Sequence, residues 1–174
     1  MIEIPWIAVL IVWVVGAQRG KHTTRRESLP ERTFHIVGTV LALSLLFGFR
    51  ELAKSNIREG IGFVLCVAGA ALAIWARVLL GTNWSGMVTL KEGHELIRRG
   101  PYTFVRHPIY SGLLLAMLGT AIYNGRWEGF LGFAIAFVTW LTKSRIEERF
   151  MVDHFGDQYL RYRREVRALI PGLL

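Results

Sequence analysis

Apolar positions gather into five runs, residues 4–17, 34–49, 61–80, 109–123 and 127–141, separated by segments rich in arginine, glycine and polar residues. A helix that crosses a bilayer needs ~20 residues, with ~17 the usual lower limit. The third run is the clearest span; several others must borrow flanking residues or sit in locally thinned bilayer, and the short fifth is the weakest. The pattern predicts an all-helical chain of about five membrane spans. A cleaved leader is the competing reading of the first run, because Val15-Gly16-Ala17 resembles a small-residue cleavage site. That run opens with Met1-Ile2-Glu3 and lacks a basic n-region, so it is read as a retained span.

Charge sorts with the alternation of sides that five crossings impose. Residues 18–32, the end of the third run with the connector after it, and the C-terminal tail hold 17 of the 21 lysines and arginines; the other two connectors hold only Arg50, Lys54, Arg58 and Arg126. By the positive-inside tendency the basic side is cytoplasmic and the N-terminus lies outside. A soluble five-helix bundle has no reason to divide its charges this way. Composition agrees: 52% of the 174 residues are hydrophobic and 20% charged, with a net charge of +8. That excludes a disordered chain, and the one cysteine, Cys66, excludes a disulfide scaffold. With no repeat or long linker, residues 1–174 read as one domain. Glycines scattered through the runs, among them Gly62, Gly69, Gly112 and Gly119, suit close helix packing.

Polar chemistry concentrates in residues 81–111 and 143–171. The first segment reads GHELIRRGPYTFVRHPIYSG from Gly93 to Gly112. Gly100-Pro101 signals a turn, and Pro108 suits the first turn of the fourth helix. Arg106 and His107 then sit at the membrane surface, with Tyr110 one turn inside. In the plainest reading Arg106 and His107 snorkel and Tyr102 and Tyr110 join an aromatic belt. The second segment predicts an amphipathic helix that leaves the bilayer and stops near Gly156. Glu147 falls within about one turn of the boundary by the 1.5 Å rise per residue, where a carboxylate is a functional candidate. Glu148 is expected to face water, in an intrahelical pair with a neighbouring cation.

Taken together, GHELIRRGPYTFVRHPIYSG and EERFMVDHFGDQYLRYRREVRALIP resemble the C-terminal half of the isoprenylcysteine carboxyl methyltransferase family, integral membrane enzymes that use S-adenosylmethionine and are related to phospholipid methyltransferases. The likeness covers residues 81–171. It implies a cytoplasmic cofactor pocket roofed by the loop before the fourth helix and by the tail. It also implies that His94, Glu95, Leu96, Ile97 and Tyr102, then His107, Pro108, Ile109 and Tyr110, line the cofactor, with Glu147 as its acidic contact. A basic residue just before the glutamates addresses the substrate, Arg145 or alternatively Lys143. Met87 and Val166-Arg167 depart from the family pattern. The N-terminal spans match nothing beyond hydropathy.

S-adenosylmethionine presents a sulfonium cation, a zwitterionic end and a flat adenine. Glu147 can pair the cation, Arg106 with the fourth helix's N-terminus can hold the carboxylate, and Tyr102, Tyr110 and Leu96 can enclose the adenine. The acceptor implied is a membrane-embedded lipid or lipidated small molecule, most simply an isoprenoid carboxylate. A phospholipid amine is the alternative, and it would need a base such as His107 or His94. A nicotinamide-dependent lipid or sterol reductase shares the RHPxY element but is disfavoured by the short chain and the glutamate pair; a scaffold without activity is the third reading. No histidine pair stands apart with helix-borne ligand spacing, so no metal is expected, nor is a nucleic-acid partner. His22, His35 and His154 read as surface or interface residues. The expected location is a bacterial or archaeal plasma membrane.

Overall fold

The computed structural model describes residues 1–17, 23–48, 55–84, 89–91, 93 and 95–172. Each apolar run becomes a helix: α1 Glu3–Ala17, α2 Leu29–Phe47, α3 Asn56–Leu80, α4 Pro108–Asn124 and α5 Trp127–Phe155, followed by a short α6, Asp157–Glu165. The borrowing of flanks is visible at α2. Its first turn is polar because Ser28 and Glu31 form a capping box, the Ser28 amide donating to the Glu31 carboxylate at 3.1 Å. At the other end of the chain, α5 runs on unbroken for 29 residues, past its apolar stretch and down to Gly156, whose φ of 52° stops it.

The tightest contact is between α3 and α4, and glycine makes it. A β-carbon on Gly69 would stand 2.3 Å from the Ala116 nitrogen, and one on Gly112 2.6 Å from the Gly69 carbonyl oxygen; Gly62 and Gly119 repeat the arrangement two turns away. The antiparallel helices thus meet backbone to backbone, as small residues allow in membrane bundles. On the other side, α2 lies along α5, where Gly132 faces the Ala42 carbonyl. Several polar groups between the helices are paired in place. Trp6 donates to Thr120 (3.0 Å), Asn124 to the Leu46 carbonyl (3.0 Å) and Trp140 to Thr39 (3.2 Å).

Two connections depart from a purely helical plan. Thr23–Arg26 (β1) pairs antiparallel with Thr89–Lys91 (β2), stitching the segment after α1 to the one after α3. The tail then lies beside the segment before α4: Val105 and Arg167 form a parallel bridge, and the amides of Arg106 and His107 donate to the carbonyls of Arg167 (2.8 Å) and Ala168 (2.9 Å). The three basic segments therefore meet at one end of the bundle. Among the described residues, one helix, continued through a 3-10 turn to Asn83, is long and apolar enough by length and composition to cross a membrane, with a mean hydropathy of 2.3. Large apolar side chains on the outer faces of α1, α2 and α3 are exposed, including Ile7, Leu10, Val37, Val40, Ile61 and Val64.

Candidate active site

A cavity of about 450 Å3 opens at the end where these segments meet, walled by α2, α4 and α5 and by residues 95–110. Local structure explains how each wall is made. Gly100 turns the chain at a φ of 61°, Pro101 and Tyr102 follow in a 3-10 turn, and His107 caps α4 with Pro108 in its first turn. On α5, Trp140, Lys143, Glu147 and Met151 recur at intervals of three or four and so share the face turned to the cavity.

At the centre His107 stands between two carboxylates. Its Nδ1 lies 3.3 Å from Glu147 and its Nε2 3.3 Å from Glu148. The Tyr110 hydroxyl donates to the other oxygen of Glu147 at 2.5 Å, and the Tyr110 ring stacks between His107 and Trp140. Burial works to lower the pKa of His107, but the hydrogen bonds and charges of Glu147 and Glu148 outweigh it and hold the ring above its ordinary value. Burial likewise opposes ionisation of Glu147, and the His107 bond and charge, the Lys143 ammonium and the Tyr110 bond bring it below the usual carboxylate value. Glu148 goes further, to about 2, because His107 and Arg106 together overcome its burial. Burial, reinforced by the Glu147 charge, pushes the Tyr102 phenol up. At neutral pH Glu147 and Glu148 are ionised and Tyr102 is uncharged, while the two carboxylates bias His107 towards its protonated form.

The structure brings Glu95, Leu96, Ile97, Tyr102, Arg106, His107, Pro108, Ile109, Tyr110 and Glu147 together on the cavity wall. His94 lies outside the described residues, as do His22 and Met87. Several expectations need correction. Glu148 does not face water: it is 7% exposed and its partner is Arg106, whose Nε donates to it at 2.9 Å. The Arg106 Nη2 also bonds Glu148 and its Nη1 reaches the Val166 and Arg163 carbonyls, so Arg106 ties the tail to the site. Arg145 is exposed and off the cavity wall, whereas Lys143 is on it. Two residues span about 200° of helix, so the two cations cannot share a face.

His35 is the other correction. It is buried on the cavity wall with its Nδ1 2.8 Å from Glu27, not on the surface. The N-terminal third, which carried no motif, supplies much of the opposite wall through Trp13, Arg32, Ile36 and Thr39. Hydropathy marks α2 as apolar but says nothing about which turn carries a partnered histidine.

Acid, imidazole and phenol thus meet beside a largely apolar chamber at one end of the helix bundle. Residues 57–158 match the family model described as phospholipid methyltransferase, and the chain belongs to that family. The relatives narrow the likeness to the isoprenylcysteine carboxyl methyltransferases. The chain is 37% identical, over 118 residues, to the protein-S-isoprenylcysteine O-methyltransferase of Schizosaccharomyces pombe, a match covering 65% of this chain and 48% of that protein. The solved structure of a eukaryotic intramembrane Ras methyltransferase, isoprenylcysteine carboxyl methyltransferase, aligns with a TM-score of 0.60 at 27% identity, covering 84% of this chain and 54% of that one. A steroid 5-alpha-reductase of Solanum lycopersicum is 30% identical over 111 residues, 63% of this chain and 41% of that protein. The chain thus spans about half the length of the relatives it matches.

Proposed function

We propose that this chain is a single membrane methyltransferase domain that uses S-adenosylmethionine to methylate the carboxylate of a prenylated, membrane-embedded acceptor. The observation that carries the reading is the Glu147 carboxylate, held by Tyr110 and His107 on the wall of an apolar cavity. Each Glu147 oxygen takes one of those bonds and keeps a lone pair for an incoming cation. The cavity's chemistry fits the donor: Glu147 for a cationic group, Tyr102, Trp84, Leu96 and Ile97 for a flat base, Lys143 for a carboxylate. When bound, that cofactor supplies an electrophilic methyl group.

The protein's own part is alignment. Tyr110 and His107 fix Glu147, and the stacked rings of His107, Tyr110 and Trp140 set one wall, so the reacting partners meet in a defined geometry. A carboxylate acceptor is already ionised at neutral pH and needs no general base. The exposed apolar faces of α1, α2 and α3 support five spans, with shorter helices in thinned bilayer. The gathering of the basic segments at one end supports a cytoplasmic site and an outside N-terminus.

Calorimetry on detergent-purified protein tests this reading with adenosylhomocysteine and, separately, a reduced nicotinamide cofactor. Saturable adenosylhomocysteine binding, weakened about tenfold or more by Glu147→Gln as expected for loss of a charged partner, is the predicted result. Folded protein that binds the nicotinamide and not adenosylhomocysteine would overturn it in favour of a reductase.

A further inference from the structure

The cavity holds a second acid and histidine pair, on α2 and the residue before its cap, beyond the segment that carries the motif resemblance. Glu27 and His35 are 9% and 5% exposed, and the Glu27 carboxylate takes the His35 Nδ1 at 2.8 Å. The remaining ring nitrogen, Nε2, is shielded from solvent and has no hydrogen-bond partner. Buried polar atoms are almost always paired, and one left open in the wall of a chamber points to a ligand that pairs it.

This pair belongs to the same chamber as Glu147. The stack that begins at His107 and Tyr110 ends at Trp140, whose Nε1 donates to Thr39. Thr39 is one helical turn beyond His35 on the same face of α2. Arg32, almost one turn before His35, also lines the cavity, and Ile36 and Val40 continue the wall as apolar, outward-reaching positions. The α2 wall therefore offers a fixed imidazole and a cation at one end and a hydrocarbon surface along its length, the two halves of an amphiphilic anion.

We infer that His35, braced by Glu27 and assisted by Arg32, binds the acceptor's carboxylate and sets the enzyme's preference for an acidic acceptor. With Nδ1 taken by Glu27, Nε2 is the ring atom left to meet the ligand. One carboxylate oxygen is thereby held, leaving the other directed into the chamber. The inference rests on the carboxyl-methylation reading above and names the residue that recognises the acceptor.

The test is equilibrium binding of N-acetyl-S-farnesylcysteine and, separately, of adenosylhomocysteine to the whole detergent-purified protein. His35→Ala is expected to weaken the farnesylcysteine about ten- to hundredfold, the range for a hydrogen bond to a charged group, with adenosylhomocysteine affinity unchanged. His35→Gln, which retains an N–H donor, recovers part of the loss. An analogue lacking the carboxylate binds wild type and His35→Ala alike. Equal farnesylcysteine binding by wild type and His35→Ala overturns the inference alone, as does a parallel fall in adenosylhomocysteine binding in both variants. Wild type that binds adenosylhomocysteine but no farnesylcysteine overturns the carboxyl-acceptor reading together with the inference. Wild type that binds neither overturns the methyltransferase reading itself.

Discussion

Replacing Glu148 with glutamine keeps the side chain's size and removes its charge, and the surroundings set the cost. Glu148 is 7% exposed, accepts from Arg106 Nε at 2.9 Å, and faces His107 Nε2 at 3.3 Å. Its carboxyl is held at about 2 against an ordinary 4.5. At about 1.4 kcal/mol for each factor of ten in proton affinity, that gap corresponds to about 3 kcal/mol of stability at neutral pH. Removing one member of a buried ion pair costs about 3–5 kcal/mol in other proteins, so two independent routes agree. For a chain of this size each kcal/mol moves the unfolding midpoint by about 2–4 °C. Glu148→Gln should therefore lower it by roughly 6–12 °C in a detergent thermal-shift assay. Glu165→Gln, which breaks an exposed pair with Arg98, should shift it by less than about 2 °C. Because the folded pKa is depressed, the Glu148 contribution is present above pH 4.5 and is lost as the pH falls through about 2. The glutamine variant should lack that acid-side loss. Equal midpoints for Glu148→Gln and Glu165→Gln at neutral pH would refute the reasoning.

The helix contact and the central imidazole give two further predictions. Gly69→Ala sets a methyl 2.3 Å from the Ala116 nitrogen and should destabilise by about 1–3 kcal/mol, whereas Gly60→Ala, with nothing within 4 Å, should be neutral or stabilising; comparing their thermal midpoints decides it. His107 has a raised folded pKa, so its stabilising contribution is complete below the unfolded value of 6.5 and is lost as pH rises through the higher folded one. A wild-type midpoint that falls over that alkaline interval, and a His107→Gln midpoint that does not, is the expected pair of curves.

The five helices were legible because an apolar run of sufficient length marks a buried or lipid-facing helix in either setting, and all five runs map onto helices. Residues 95–110 and Glu147 were legible because motif order and spacing carry them as a unit. Glu148 was misjudged because the adjacent position on a helix lies only about 100° away, and the partner that buries it, Arg106, is 42 residues distant. His35 was missed for a related reason. Glu27 is eight residues earlier and separated from it by a helix cap, so no local spacing announces the pair. The strands β1 and β2, with four and three residues, are too short for alternation to show.

The pairing of residues 166–169 with 105–111 carries a consequence for biogenesis. Arg106 and Glu148 are translated 42 residues apart, yet the carbonyl that completes the Arg106 cradle belongs to Val166, and the shorter of the two Ser111 hydroxyl bonds, at 2.5 Å, goes to the Leu169 carbonyl. During vectorial synthesis the helices can enter the bilayer in order, but the chamber's roof waits for these late residues to leave the ribosome. Until then the cavity lacks the backbone acceptors that residues 166–169 bring to Arg106 and Ser111, so the site is completed last.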